Sequence, residues 1–450
     1  MSKVNKAKLI EGKVSELIIK LTLPMIAGML GLVIFNLVDT FYIAKLGVRE
    51  TAALTFTFPV VLMVNNIALG LGLGTASVVS RAVGKGDEYN VRKLSTDSLI
   101  LSVLVVFVFM IIGLNTINPL FEMLGASKDV MIYIEKYMKI WYFGSIFVVV
   151  PMVGNNIIRS LGDTKTPAII MLLSATINII VDPLLIFGLG PFPKLGIAGA
   201  AIATVFARAV TFIFALYILI KRDKIITFKS MKLANLIDSW KQVLYIGVPA
   251  AITRMILPFA TGVITNIISV FGIFAIAGFG IATKIEFFLL ISVRAMSSIM
   301  ISFVGQNYGA LRFDRVKIGI IFCEKVSMIL SLIIYIFMII FANSIANLFT
   351  NNVEVINVIK IYLLIVPIGY GLQGIFLVAV STLNAINKPI KASLLTVFQV
   401  FIIYIPLAKI LNYFLGINGI FIALASSYII GGFVAHFIVK GNFDINYYSN

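Results

Sequence analysis

Cysteine and histidine are almost absent: the 450-residue chain holds one of each, Cys323 and His436. One cysteine excludes an intramolecular disulfide and a cysteine metal cluster, and one histidine excludes the paired spacing of zinc hydrolases, so His436 reads as a packed or interfacial residue. Charge is also scarce, at 12% of residues, and acids are scarcer than bases, with 19 Asp and Glu against 36 Lys and Arg. So little polar material cannot coat a soluble domain. Apolar residues make up 60% of the chain and the mean hydropathy is +1.07, which identifies an all-α integral membrane protein.

Apolar runs fall near 17–43, 52–80, 94–118, 131–158, 167–190 and 196–220, and again near 241–269, 273–304, 316–342, 355–383, 390–414 and 417–440. Each is long enough for a helix rising 1.5 Å per residue to cross a hydrocarbon core of about 30 Å, which predicts twelve transmembrane helices. The net charge of +17 does not signal nucleic acid. If the N-terminus is cytoplasmic, the basic residues gather in alternate loops, the richest being 81–93 and 221–241 with Arg81, Arg92, Arg222, Lys229 and Lys232. That is the positive-inside pattern, and it predicts a multi-pass protein of the cell membrane with both termini cytoplasmic and anionic lipid as its neighbour. The stretch from Met1 to Lys20 is too charged for the core of a signal peptide and reads as a cytoplasmic lead-in.

The chain repeats itself. An offset of 225 residues sets Pro24 on Pro249, Gly47 on Gly272, Ala52 on Ala277 and Gly84 on Gly309, and later RSLGDTKTP (159–167) meets STLNAINKP (381–389). Six helices per copy is an even number, so both copies enter the membrane the same way round and are related by a pseudo-two-fold axis along the membrane normal. The organisation expected is an N-terminal lobe over 1–220, a cytoplasmic linker over 221–240 and a C-terminal lobe over 241–450. Duplicated bundles of this kind suit transporters, which rock one bundle against the other.

The copies differ where it matters. Asp39 and Asp182 lie inside apolar runs of the first copy, and Ile264 and Ile405 stand at the matching places of the second. A carboxylate at mid-membrane costs roughly 2.5 to 3.5 kcal/mol on insertion scales, so an acid kept in one half alone marks function. Asn178 precedes Asp182 by one helical turn and shares its face, and Thr204 lies at similar depth in the next span. Such oxygens can take up a proton or ligate a monovalent cation, with Na⁺ possible at Asp39, Asp182 and Asn178, and an ion that prefers one conformation shifts the balance between conformations. Pro24, early in the span that carries Asp39, is a candidate hinge. In the second lobe Arg254, Lys284, Glu286 and Arg294 form a possible charge network, with ion pairs between helices expected. Gly70, Gly72 and Gly74 sit in span two, where small residues let helices approach closely.

The segments LTLPMIAGM (21–29), NLVDTFY (36–42), GLGTASVVSRAVGKGD (72–87), GNNIIRSLGDTKTP (154–167), NIIVDP (178–183) and LGIAGAAIAT (195–204) resemble the multidrug and toxic compound extrusion (MATE) family, most closely its archaeal and DinF-like branch. The resemblance implies twelve helices in two six-helix lobes, a central cleft, and export of cationic, amphipathic compounds against inward H⁺ or Na⁺. It places the ion-coupling site at Asp39, Asn155, Asn178, Asp182 and Thr204. A tyrosine that this branch carries one turn before the first aspartate is Phe35 here. The acid that the NorM-like branch carries in helix seven is replaced by Leu257, which disfavours a cation site of that type.

The expectation is therefore a secondary active exporter with no cofactor beyond the coupling ion, small organic molecules and the bilayer as its partners, and a monomeric state. A flippase for lipid-linked precursors or metabolites is the alternative, kept open by the second-lobe cations. An intramembrane enzyme is a weaker one, because no metal-ligand spacing or serine nucleophile with a base occurs.

Overall fold

In the computed structural model of the chain, residues 9–227 and 233–444 are described. The sixteen α-helices among them are α1 Val14–Ala44, α2 Val48–Gly84, α3 Glu88–Met123, α4 Lys128–Gly144, α5 Ile146–Ser160, α6 Lys165–Phe187, α7 Ile197–Tyr217, α8 Leu233–Ile268, α9 Ile273–Leu289, α10 Ile291–Gly309, α11 Phe313–Phe349, α12 Val353–Ile365, α13 Tyr370–Ala385, α14 Pro389–Val397, α15 Ile405–Leu415 and α16 Ile417–Asp444. Ten runs of helix are long and apolar enough to cross a membrane, and two more spans are bent pairs, α4 with α5 at 41° and α9 with α10 at 53°. These twelve spans match the twelve apolar runs one for one. The bends were not expected. At the first of them Ser145 donates its Oγ hydrogen to the carbonyl of Tyr142 at 2.6 Å, beside the Ser145 N–H that reaches the same carbonyl at 3.3 Å, so the side chain reinforces the helix end at the break.

The packing divides into two units. One is built on Leu23–Ala251, the other on Leu9–Thr22 together with the chain from Ile252 onward. Both divisions fall inside a helix, in α1 and in α8, each close to a proline of the aligned pair Pro24 and Pro249. The lead-in to α1 is tied down within the second unit: the Leu9 N–H donates to Gln306 Oε1 at 3.1 Å, the Leu9 carbonyl accepts from Asn307 Nδ2 at 3.1 Å, and Arg315 donates to the carbonyls of Gly12 and Glu11 at 2.8 and 3.1 Å. The start of α8 is held within the first unit. Trp240 Nε1 donates to the Asp97 carbonyl at 2.9 Å, and a Cβ on Gly74 or Gly70 would lie 2.3 Å from the Val243 carbonyl or 2.5 Å from that of Gly247. The small residues of span two thus serve the close helix contact expected of them.

The stretch 221–240 is helical at both ends, with a π-helical turn over Ile218–Arg222 closing α7 and α8 already running from Leu233. Lys229 and Lys232 lie outside the described residues. The turn before α6 is pinned to this stretch. Asp163 accepts from the Thr166 N–H at 3.0 Å and hydroxyl at 2.6 Å, and from Arg222 Nη2 at 2.9 Å. Burial opposes ionisation of Asp163, but the Thr166 hydrogen bonds and the Arg222 guanidinium outweigh it and hold the carboxyl below its usual range. A depressed folded value means that the pair stabilises the fold above the ordinary carboxylate value of about 3.9 and stops doing so as pH falls through the folded value. Because Arg222 is solvated and screened, the effect is about 0.5 to 1 kcal/mol. Thermal melts should show Asp163→Asn lowering the melting temperature at neutral pH and matching the parent in strong acid; an equal loss at both would assign the residue a role without charge.

In the second unit the core gathers around Tyr362, Tyr370, Phe421 and Ile359, all at most 1% exposed. Between α14 and α15 the helix widens into a π segment, Phe398–Tyr404, which ends next to Pro406. In the repeat alignment that pairs Asp182 with Ile405, this segment occupies the place of the run leading up to Asp182.

Candidate functional site

The site is set by how closely α6 and α7 approach. Gly199 lies two residues inside α7, and a Cβ there would sit 2.4 Å from the Leu185 carbonyl. The α6 helix ends at Gly188 in a left-handed conformation with φ of 73°, where a Cβ would strike the backbone nitrogen of Lys194 at 2.7 Å. Glycine at these two positions lets the chain reverse tightly and lay α7 along α6.

That contact brings Asn178, Asp182 and Thr204 together. Asn178 and Asp182 are fully buried at 0% exposure. The Asn178 amide donates to Asp182 Oδ1 at 3.1 Å and to Thr204 Oγ1 at 3.3 Å. Asp39 reaches the same place from the last turns of α1, and its carboxyl meets that of Asp182 side chain to side chain. Three buried oxygens, Asp39 Oδ1, Asn178 Oδ1 and Asp182 Oδ2, have no hydrogen-bond partner. As carboxylate and amide carbonyl oxygens, all three are acceptors. Buried acceptors are almost always satisfied in folded proteins, and two carboxyl groups in contact repel unless a proton or a cation lies between them. In chemical terms such a cluster can take up a proton or a monovalent cation.

Tyr137 of α4, 6% exposed, is within electrostatic reach of both carboxyls. Sequence reading missed it, because it is one of several tyrosines in an amphipathic run and nothing in its neighbours points to Asp39. Asn155 is not bonded to the cluster. It lines a small cavity with Ser174, Arg208, Thr211, Pro151 and Met152, and its own Oδ1 is unpartnered. Ser174 stands one turn before Asn178 and Arg208 one turn after Thr204, so the cavity continues the polar faces of α6 and α7. The Arg208 guanidinium lies 5.5 Å from the ring centroid of Phe35, a cation–π contact where the resemblance led to a hydroxyl. Pro24 lies inside α1, two residues from the division of that helix between the units.

The second-lobe charges do not form the ion pairs expected of them. Among the described residues no salt bridge joins Arg254, Lys284, Glu286 or Arg294. Glu286, 6% exposed, accepts instead from the hydroxyls of Tyr362 and Tyr428, the latter at 2.6 Å. Two phenol donors satisfy a buried carboxylate without the desolvation of a second charge. Arg294 stacks on Phe287 at 5.1 Å, while Arg254 and Lys284 are exposed. His436 Nδ1 sits 2.8 Å from Glu324 Oε1, and Cys323 is buried with its sulfur 3.4 Å from that of Met300, in keeping with packed roles.

The MatE family model matches residues 24–184 and again 249–410, so each copy of the repeat carries one match. The chain is 34% identical over 432 residues to the FAD transporter of Shewanella oneidensis, covering 96% of both chains, and 26% identical to the probable multidrug resistance protein NorM of Thermotoga maritima, covering 92% of this chain and 89% of the relative. Among solved structures it is similar to the Vibrio cholerae MATE transporter VcmN in the bent form, with a TM-score of 0.91 at 28% identity over 96% of this chain and 97% of that one. Twelve spans, a duplicated family match and relatives of full length agree: the chain belongs to the MatE family and is a multi-pass membrane transporter, not an enzyme.

Proposed function

We propose that this transporter is a secondary active exporter of organic molecules that is driven by inward H⁺ or Na⁺, with Asp39 and Asp182 as coupling acids and Asn178 and Thr204 as their partners. The single observation that carries the reading is the trio of buried, unpartnered oxygens on Asp39, Asn178 and Asp182. Filling them with a proton or Na⁺ favours whichever conformation keeps the cluster closed, and emptying them favours the other, so the ion gradient biases the cycle. Asn155 and Pro24 stand in supporting roles, the first in the polar cavity below the cluster and the second as the hinge of the helix that carries Asp39. The distribution of basic residues supports a cell-membrane protein with cytoplasmic termini.

The cargo is amphipathic. A cationic compound is one reading, in line with the multidrug names of several relatives at 22 to 26% identity. An anionic metabolite of the flavin dinucleotide kind is the second. It is favoured by the name of the 34% relative and by Arg208 and Arg254, membrane-span cations in no salt bridge among the described residues. Purified protein in liposomes, loaded in parallel with a fluorescent organic cation or with FAD, should extrude one of them under an imposed H⁺ or Na⁺ gradient at least about tenfold faster than without one. Equal rates with and without either gradient, for both probes, would refute ion coupling.

A further inference from the structure

The second unit holds a buried carboxyl that the coupling cluster does not use. Glu286 lies on α9, one turn before the helix breaks at Leu290, and its backbone carbonyl accepts the Leu290 N–H at 3.0 Å. Its buried side chain is bonded from two other elements and lies within electrostatic reach of groups on three more. Tyr362 of α12 donates to Oε2 and Tyr428 of α16 to Oε1. Tyr370 of α13, Tyr404 of the π segment and Arg294 of α10 complete the set of titratable groups that face it electrostatically. Tyr362, Tyr370 and Tyr404 are 0%, 1% and 7% exposed. The hydroxyl of Tyr370 is buried and has no hydrogen-bond partner.

Each feature selects among ligands. Both carboxylate oxygens already accept from phenols, so a metal cation would have to displace two donors and would find few acceptors to replace them. An anion is repelled by the carboxylate. A proton needs only a turn of one hydroxyl: Glu286 becomes a neutral acid, and one of its two phenol donors turns to accept the new O–H. The incoming proton comes from water and no other bond changes. A carboxyl kept only for packing would not call for two phenol donors, a third phenol without a partner and an arginine at once.

We propose that Glu286 and the two tyrosines that donate to it form a second proton-binding site, located in the C-terminal unit, with the buried, unpartnered Tyr370 hydroxyl in its surroundings. This extends the coupling reading, in that a transport cycle would then move a proton through this unit in addition to the ion taken by Asp39 and Asp182. Because the two phenol hydrogen bonds tie α9 to α12 and α16 beside the α9–α10 bend, a change of proton occupancy alters how these elements are held.

The test uses the full chain in lipid nanodiscs and infrared difference spectra between acidic and alkaline buffer. Glu286→Gln keeps the shape and removes the titration, and should delete one protonated-carboxyl band. The same band should persist in the Asp39→Asn/Asp182→Asn double variant and vanish when Glu286→Gln is added to it. Tyr370→Phe, which leaves Glu286 and both donors in place, should shift the frequency of that band. In liposomes Glu286→Gln should lower the proton-to-cargo ratio by one, read from the proton gradient at which cargo flux reverses. Carboxyl spectra of Glu286→Gln and Tyr370→Phe that superimpose on the parent would overturn the proposal. If instead the band is present while Asp39→Asn still couples, the site described here stands and the first-unit reading falls.

Discussion

Asp39→Asn is expected to abolish gradient-driven efflux while leaving the protein folded and inserted. To swing a two-state transporter from about 1:99 to 99:1, an ion must favour one state by about 10⁴-fold, or roughly 5.5 kcal/mol. That preference can come only from groups that hold the ion in one state and release it in the other. The amide keeps the size of the side chain and its hydrogen-bonding capacity but cannot exchange a proton or offer a charge, so the preference disappears and efflux falls to the rate seen without a gradient. The measurement is cargo release from liposomes with and without the ion gradient, beside a thermal melt. A variant that melts like the parent and still accelerates release under the gradient removes Asp39 from the mechanism. Asp182→Asn should behave in the same way, since the two carboxyls meet directly.

Gly199→Leu is the second large effect, and it acts without touching a charge. A Cβ at 199 would fall 2.4 Å from the Leu185 carbonyl and 2.6 Å from its carbon. Backbone atoms cannot swing aside, so α7 must move away from α6, at an overpacking cost of about 1 to 3 kcal/mol or more. The Asn178–Thr204 hydrogen bond, already 3.3 Å long, is lost first. Transport should therefore collapse nearly as far as in Asp39→Asn, with a melting temperature lower by several degrees, and Gly199→Ala should show a milder form of both losses. Parental efflux in Gly199→Leu would mean that close contact of α6 and α7 is not needed for coupling.

Most of the architecture was legible because a membrane span writes its length directly into composition. All twelve spans could be read as apolar runs, and the offset of 225 residues gave the duplication. Asp39, Asn178, Asp182 and Thr204 could be singled out because charge in an apolar run is conspicuous and because Asn178 and Asp182 are spaced one turn apart. What remained hidden depends on contacts distant in the chain. Tyr137 comes within electrostatic reach of the acids only through the packing of α4 against its neighbours. The partners of Glu286 lie 76 and 142 residues away and are tyrosines among 16, so the sequence displayed the charge and concealed what satisfies it. The bends after Gly144 and Leu289 carry no proline at the break, and a hydropathy trace runs straight through them. The docking of each helix start in the other unit is equally silent, since lobe limits drawn at 220 and 241 follow chain order whereas packing divides α1 and α8 near Pro24 and Pro249.

The π segment Phe398–Tyr404 has a bearing on any attempt to transplant the acidic cluster. An α-helix advances about 100° per residue, and a widened turn that bonds i to i+5 advances less, so angular phase is lost across those seven residues. Ile405 shares the alignment column of Asp182 yet emerges at another azimuth from its axis. A carboxylate grafted at 405 would thus not inherit the orientation that its first-half counterpart has. The duplicated halves share an ancestral plan, but their helices are no longer interchangeable parts.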